Sequence, residues 1–594
     1  MTASSLTGKK WIFKKYNNDD VNFLKENFYL DEITSKLLSI RKIDKKDINL
    51  FLNPSIKNSL PDPTILKDMN KATNHTVNFI RNGKTLGIFG DYDVDGASST
   101  ALLGNYFRHL NLPFKIYIPD RKKEGYGPTK ESFKNFIEDK IDIIFTVDCG
   151  TLAFEPIEFA NSKNIDVIVL DHHQSEIKLP KAHSIINPNR IDDSSRLNYL
   201  CAAGVCFMFL VSLNRKLREI NWFKENNIIE PDLINFLDLV SLGTICDVVP
   251  LTGLNRALVK QGLKILKLKK NPGIKMLMDL CKIESKPTTY HLGYVLGPRI
   301  NAGGRVGKCS HGANLLLAES ANQTFKIASE LEQYNSERRL LEKDLLKNVL
   351  NILEKKNTDP VIILEGDNWH EGIIGIIASR LKEKFNKPTI IISFNKGIGK
   401  ASARSIAGFD IGLIILAAVQ QSILLKGGGH KMAGGFTIKM EMLSKFKDFV
   451  FKRMNDFRKK NILEKQILLD AELSPSTINL EFFDKIDYLS PFGSVNPEPK
   501  FAIENIKKLK SKIVGEKHIK TILLGKDGSK IEAVAFNAVD NPLGQYLLNN
   551  NNNLFSIAGK LSLNEWKGKK NVEFIIDDIS VNKSEKKMVP SSIG

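Results

Sequence analysis

The chain has 594 residues, 42% of them hydrophobic and 26% charged, enough for several domains and ordinary for a folded protein. No apolar run approaches the ~18 residues of a membrane-spanning helix, and the N-terminus has no apolar signal core, so a cytoplasmic protein is expected, away from membranes. The formal net charge of +19 favours a polyanionic partner, against the alternative of a merely solvated lysine-rich surface.

Six cysteines lie scattered and none forms a CxxC pair, so no disulfide framework or cysteine zinc site is expected. Residues 1–60 read as an N-terminal lead segment. From residue 85 a rhythm sets in. Strands are expected at 85–89, 114–120, 142–148 and 166–173, and helices at 97–110, 128–140 and 152–164. Short β-rich runs alternating with helices of about a dozen residues mean βαβ units and a parallel sheet. In "FGDYDVDGASST", Asp91, Asp93, Asp95 and Gly96 alternate like the start of a calcium loop. The loop's twelfth position, however, is Leu102 instead of a bidentate Glu, and the preceding segment reads as a strand.

Parallel strands end on one sheet edge, and ligands bind outside those ends. Asp91/Asp93/Asp95, Asp148 of "VDCGT" and Asp171-His172-His173 all follow such strands, and "LVSLGTICDVVPL" adds Asp247 after another apolar run. That many carboxylates repel one another unless cations hold them together. Oxygen ligands suit Mg²⁺ and Mn²⁺, and imidazole shifts the preference toward a transition metal. The ligand count suffices for two ions sharing a bridging carboxylate, an arrangement that activates water and clamps a phosphoryl oxygen.

Further along, "YIPDRKKEGYG" offers Arg121, either a phosphate contact or part of a solvated basic loop. In "GPRINAGGRVG", Arg299 and Arg305 flank small residues, a composition that suits an anion-binding loop or, again, a solvated basic one. Residues 324–356 carry Ile327, Leu331, Tyr334, Leu341 and Leu345 at helical spacing without Gly or Pro, so one long connecting helix is expected. A smaller α/β unit follows at 357–458. There Ser402 and Arg404 of "SARS" suit a terminal phosphate, and "GGGH" reads as a glycine-rich turn carrying His430. Residues 459–585 are alternating β-type runs with a hairpin signal at "KDGS". A small lysine-rich β-barrel of the OB type, gripping single strands, fits this composition. Phe536, Trp566 and Phe574 are stacking or core residues there. The polar tail 586–594 is expected to be disordered.

"GDYDVDG", "VDCGT", "DHH" and "GTICDVVPL" stand in order, each expected at a strand end, and resemble the four motifs of the DHH phosphoesterase superfamily. With "GPRINAGGRVG", "GKASARSIAGFDI", "GGGHKMAGGFT" and "PFGSVNPEPKF", nearly the whole chain resembles the RecJ-type single-stranded-DNA-specific exonucleases. The resemblance implies a DHH catalytic domain over 61–321, the connecting helix over 322–356, a DHHA1 substrate-binding domain over 357–458 and the OB-fold over 459–585. It implies a metal-dependent exonuclease that removes nucleotides from a 5′ end in DNA repair and recombination, using two Mn²⁺ or Mg²⁺ ions.

Carried over residue by residue, Asp93 and Asp95 are ligands of different metals, with Asp148 bridging. His172 and Asp247 complete one shell, and His173 sits beside the scissile phosphate. Asp91 is an additional ligand or an orienter, and Asp171 an orienter or an additional ligand. Arg121, Arg299, Asn301, Arg305, Asn335, Arg338, Ser402, Arg404 and His430 are the implied contacts to nucleic acid. The expected partners are single-stranded DNA, a helicase and a single-strand-binding protein, and the expected state is a monomer.

Overall fold

The computed structural model describes residues 4–354, 359–460, 464–549, 553–566 and 568–581. These divide into two compact units. The described residues of 61–249 and 261–463 form one; those of 1–60, 250–260 and 464–594 form the other.

The first unit is built on a five-stranded parallel sheet of β1 (Leu86–Gly90), β2 (Phe114–Tyr117), β3 (Ile143–Val147), β4 (Asp166–Leu170) and β5 (Ser184–Ile186). Its order is β2-β1-β3-β4-β5. Every residue of β1 and β3 is buried, which is why these strands read as unbroken apolar runs instead of alternating ones. Helices α1 (Val94–His109), α2 (Lys130–Glu138) and α3 (Phe154–Ser162) make the crossovers. The chain runs from β1 out to β2 and returns to β3 on the other side. The strand order therefore reverses between β1 and β3, where a crevice opens in such sheets. Helix α1 begins three residues before the run that suggested it, because the Asp93 carboxylate accepts the amides of Asp95 and Gly96.

"LVSLGTIC" is not a strand but helix α5 (Leu237–Cys246), after α4 (Ala202–Glu219), and Asp247 caps its C-terminus. An apolar run buried nearly all round looks the same in a strand and in a helix. "GPRINAGGRV" is not a loop but helix α6 (Gly297–Val306), with Pro298 in its first turn and its small residues packed closely. Helix α7 (Ala321–Glu354) is one unbroken helix that buries Leu331, Leu345, Val349 and Leu353.

A second, mixed sheet follows α7. It comprises β6 (Ile362–Asp367), β7 (Thr389–Asn395), β8 (Ile398–Arg404), β9 (Lys426–His430) and β10 (Ala433–Lys439), in the order β9-β10-β8-β7-β6. Helix α8 (Glu371–Phe385) joins β6 to β7. The GGGH segment is a strand paired with β10, not a turn; the extended glycines lie beside the glycines of β10.

In the second unit, strands Phe501–Val514, His518–Leu524 and Lys530–Ala535 pair antiparallel in succession. The third pairs parallel with Lys569–Val581, which pairs with Phe555–Trp566, which closes back onto the first. Five strands thus form a closed barrel of OB type. Leu24, Leu37, Leu38, Ile48 and Leu52 share its core with Phe501, Ile519, Leu523 and Phe574. Phe574 is a core residue, whereas Phe536 is 55% exposed. The Trp566 side chain and the tail 586–594 lie outside the described residues. Among the described residues no helix is long and apolar enough to cross a membrane, and the six cysteines are free.

Candidate active site

The predicted acids converge where the strand order reverses. Asp91, Asp93 and Asp95 follow β1, Asp148 follows β3, and Asp171, His172 and His173 follow β4. Asp247 arrives from the end of α5. Asp148 has φ 60° and Val248, next to Asp247, has φ 61°. A side chain held in the left-handed region is strained, and such strain gathers where a precise placement is needed.

Donor atoms form three overlapping groups, each within 4.8 Å: Asp148/His172/His173, Asp95/His172/Asp247 and Asp91/Asp93/Asp148. Asp148 belongs to two of them, and so does His172. The His172 Nε2 atom faces Asp148 at 3.2 Å, Asp247 at 3.6 Å and Asp95 at 3.7 Å. Yet among the described residues Nε2 finds no hydrogen-bond partner, and neither do Asp91 Oδ1 and Asp247 Oδ2, all three being buried. Burial pushes His172 below its usual range, against the pull of the surrounding carboxylates.

The carboxylates register the same deficit of positive charge. Burial and the neighbouring acids push Asp91 and Asp148 well above the usual range, and Asp247 up to about 8. Orphaned buried donors among mutually repelling carboxylates fit divalent cations, with oxygen and imidazole ligands in the proportion that Mn²⁺ and Mg²⁺ accept.

Asp95 also has a structural task, since its two oxygens accept the amides of Ala202 (2.7 Å) and Ala203 (3.0 Å) at the start of α4. Asp171 behaves differently from the other acids. It accepts the Thr151, His172 and His173 amides and pairs with His173 Nδ1 at 2.8 Å. Burial opposes its charge, but the bond from His173 prevails and holds it below the usual range. Burial alone would depress His173; the hydrogen bond to Asp171 outweighs it and lifts the ring to about 9.

Next to the acids stands a group of guanidiniums. Burial, then the charges of Arg121, Arg338 and Arg404, push Arg305 down to about 10. Arg305 is fixed by the Gly372 carbonyl at 3.0 Å. Arg404 donates to Ser402 Oγ at 3.2 Å, and Arg121 lies 5.3 Å over the Tyr92 ring. Arg338 pairs with Glu342 at 3.0 Å and reaches Asn335 Oδ1 at 3.1 Å. Arg338 Nε and Asn335 Nδ2 remain buried without a partner among the described residues. Mutually repelling cations with spare donors await an anion. Arg299, by contrast, is turned to Glu332 and the Val295 carbonyl. Asn301 is half-buried on the same helix. His430 is exposed at the end of β9 and lines a cavity with Leu413, Leu416 and Met432 that holds no other predicted site residue.

Family models match three stretches: the DHH family N-terminal domain residues 85–244, the DHHA1 domain residues 345–456, and the RecJ OB domain residues 469–578. The chain is 34% identical over 540 residues to the single-stranded-DNA-specific exonuclease RecJ of Escherichia coli (strain K12), covering 89% of this chain and 92% of that protein. The chain belongs to the RecJ family. The RecJ of Bacillus subtilis (strain 168) is 30% identical, over 98% of this chain and 72% of that protein. The crystal structure of RecJ in complex with Mn²⁺ from Thermus thermophilus matches with a TM-score of 0.79 at 25% identity, over 96% of this chain and 79% of that one.

In this RecJ-family site, several residues escaped the sequence reading. The Tyr126 hydroxyl donates to the Asp148 carbonyl at 2.9 Å and lies 3.1 Å from His173 Nδ1. Its signal was "GYG", a tyrosine between two glycines of positive φ. Asn187, directly after β5, donates to the His173 carbonyl and to Thr151 Oγ1, both at 2.8 Å. An asparagine ending a strand on the ligand-binding edge was the available signal.

Proposed function

We propose that this chain is a single-stranded-DNA-specific 5′-to-3′ exonuclease that hydrolyses phosphodiester bonds with two Mn²⁺ or Mg²⁺ ions, acting in DNA repair and recombination. The observation that carries the reading is the cluster between β1 and β3, with three buried donor atoms left unpaired among repelling acids. Asp93, Asp95, Asp148, His172 and Asp247 would hold the ions, with Asp148 shared and Asp91 completing the set. Bound there, the ions would neutralise the phosphoryl oxygens and supply a nucleophilic water.

The chain's own groups do the rest. Asp171 and Tyr126 orient His173 beside the scissile phosphate. The guanidiniums of Arg121, Arg305 and Arg338 take up backbone phosphates, while Ser402 and Arg404 hold the 5′ end, so that the first bond lies over the acids. Arg299 would contact DNA only after leaving Glu332. The expected setting is a cytoplasmic monomer working with a helicase and a single-strand-binding protein.

End-labelled single- and double-stranded DNA, digested with Mn²⁺ and with chelator, tests the reading. Release of nucleotides from the 5′ end of single strands only, and only with metal, is the expected result. Cleavage confined to dinucleotides would instead indicate a phosphodiesterase of short products.

A further inference from the structure

Two aromatic side chains stand exposed on the segment that packs against the end of α5. Tyr290 is 59% and Tyr294 73% exposed. Their rings are stacked, with centroids 5.4 Å apart and planes 25° from parallel. Tyr290 precedes and Tyr294 lies within a π-helical segment, His291–Leu296, that runs directly into α6. A π-helical turn is rare, and it occurs mostly at functional positions.

The segment is seated on the end of α5, just ahead of Asp247. Its inner face is Leu292 and Leu296, both buried, each followed by a glycine, Gly293 and Gly297. A Cβ on Gly293 would stand 3.4 Å from Ile245, and one on Gly297 only 2.5 Å from Cys246 Sγ. Close seating on Ile245 and Cys246 thus ties the tyrosine pair to the turn that delivers Asp247. Thr288 holds His291 through its amide and hydroxyl, both 3.0 Å from Nδ1, which fixes the turn that presents the rings.

Burying an aromatic ring is worth more than leaving it in water, so a preformed exposed stack is costly unless something covers it. We propose that Tyr290 and Tyr294 form a stacking platform for the bases of the single strand beside the metal cluster. The occupant follows from its surroundings. The pair is carried by a segment packed on Ile245 and Cys246, the residues just before Asp247, in a chain of net charge +19. Flat rings accept any base, as a sequence-tolerant nuclease requires. The platform grips bases, whereas the arginines grip phosphates. The inference rests on the proposed action on single-stranded DNA.

The test uses the full chain in chelator, binding a fluorescent oligothymidine and an abasic strand of equal length. Wild-type binding of the thymidine strand tests the underlying reading on its own, and its absence would overturn that reading. Changing Tyr290→Ala and Tyr294→Ala together should weaken binding of the thymidine strand roughly tenfold or more. Binding of the abasic strand should stay as in wild type, and so should the dependence on salt, since no phosphate contact is lost. The paired Tyr→Phe changes should retain wild-type affinity. Unchanged affinity in the Ala variant, or an equal loss on the abasic strand, overturns the platform while leaving the exonuclease reading standing. A loss in the Phe variant as large as in the Ala variant would mean hydroxyl bonding and would overturn it too. Thermal melting of each variant checks that the fold persists.

Discussion

Substituting Gly243→Ala perturbs the site without replacing a proposed ligand. A methyl group there would stand 2.5 Å from Asp95 Oδ1 and 2.9 Å from the Ala203 Cβ. Ordinary contact needs ~3.5 Å, so something must yield by about 1 Å. Asp95 cannot rotate freely, because its oxygens hold the Ala202 and Ala203 amides at 2.7 and 3.0 Å. Ala203 is itself part of buried helix α4. Either the Asp95 carboxylate leaves those amides, or α5 withdraws and carries Asp247 with it. Both groups face His172 Nε2, at 3.7 and 3.6 Å, so either movement opens the cluster. Overpacking of this kind costs about 1–3 kcal/mol of stability, which a large domain survives. A misplacement of ~1 Å in catalytic geometry costs on the order of 10²-fold in rate. The assay is single-strand digestion across a Mn²⁺ titration, beside a melting curve. The expected result is a folded protein, slowed about a hundredfold, with weakened Mn²⁺ dependence. A folded variant with wild-type rate and wild-type Mn²⁺ response would refute the coupling of Gly243 to the cluster.

In metal-free protein, Asp171 raises His173 to about 9, above its unfolded value. That stabilisation is complete below the ordinary histidine range and fades as pH climbs through about 9. Melting in chelator should therefore show wild type losing its advantage over Asp171→Asn across that rise, and a constant advantage would contradict the pairing. Arg404→Ala should weaken binding of 5′-phosphorylated strands and erode the preference over 5′-hydroxyl strands, measured by competition; full preference would place the pocket elsewhere. Arg256 is buried, stacks at 3.8 Å on Phe51 and donates to the carbonyls of Phe51, Leu489, Ser490 and Pro491. Arg256→Ala should orphan those carbonyls and cost about 3 kcal/mol or more in denaturant unfolding, whereas a change below ~1 kcal/mol would mean that water replaces the guanidinium.

Much of the site was legible because parallel strands have one meaning. Once "TLGIF", "DIIFTVD" and "DVIVLDHH" read as strands of one sheet, their C-terminal acids had to meet. Asp247 was found from its motif, but its element was misread, since "LVSLGTIC" carries no period that separates a buried helix from a buried strand. Helix α6 was hidden differently: its small residues suggested a loop although close helix packing was their purpose. Tyr126 and Asn187 stayed hidden because their work is done by hydroxyl and amide groups that any loop can carry. The core shared by Leu24 and Leu38 with Phe501 and Phe574 joins residues more than four hundred apart in sequence. Packing at that range leaves no local pattern to read.

The central claim is that the crevice between β1 and β3 holds two divalent ions through a shared Asp148. Calorimetric Mn²⁺ titration of wild type and Asp148→Ala, paired with single-strand cleavage of each, tests it most directly. Two Mn²⁺ per wild-type chain are expected, with binding severely weakened and cleavage abolished in a variant that still melts cooperatively. Two undiminished sites with near-normal turnover in Asp148→Ala would contradict it.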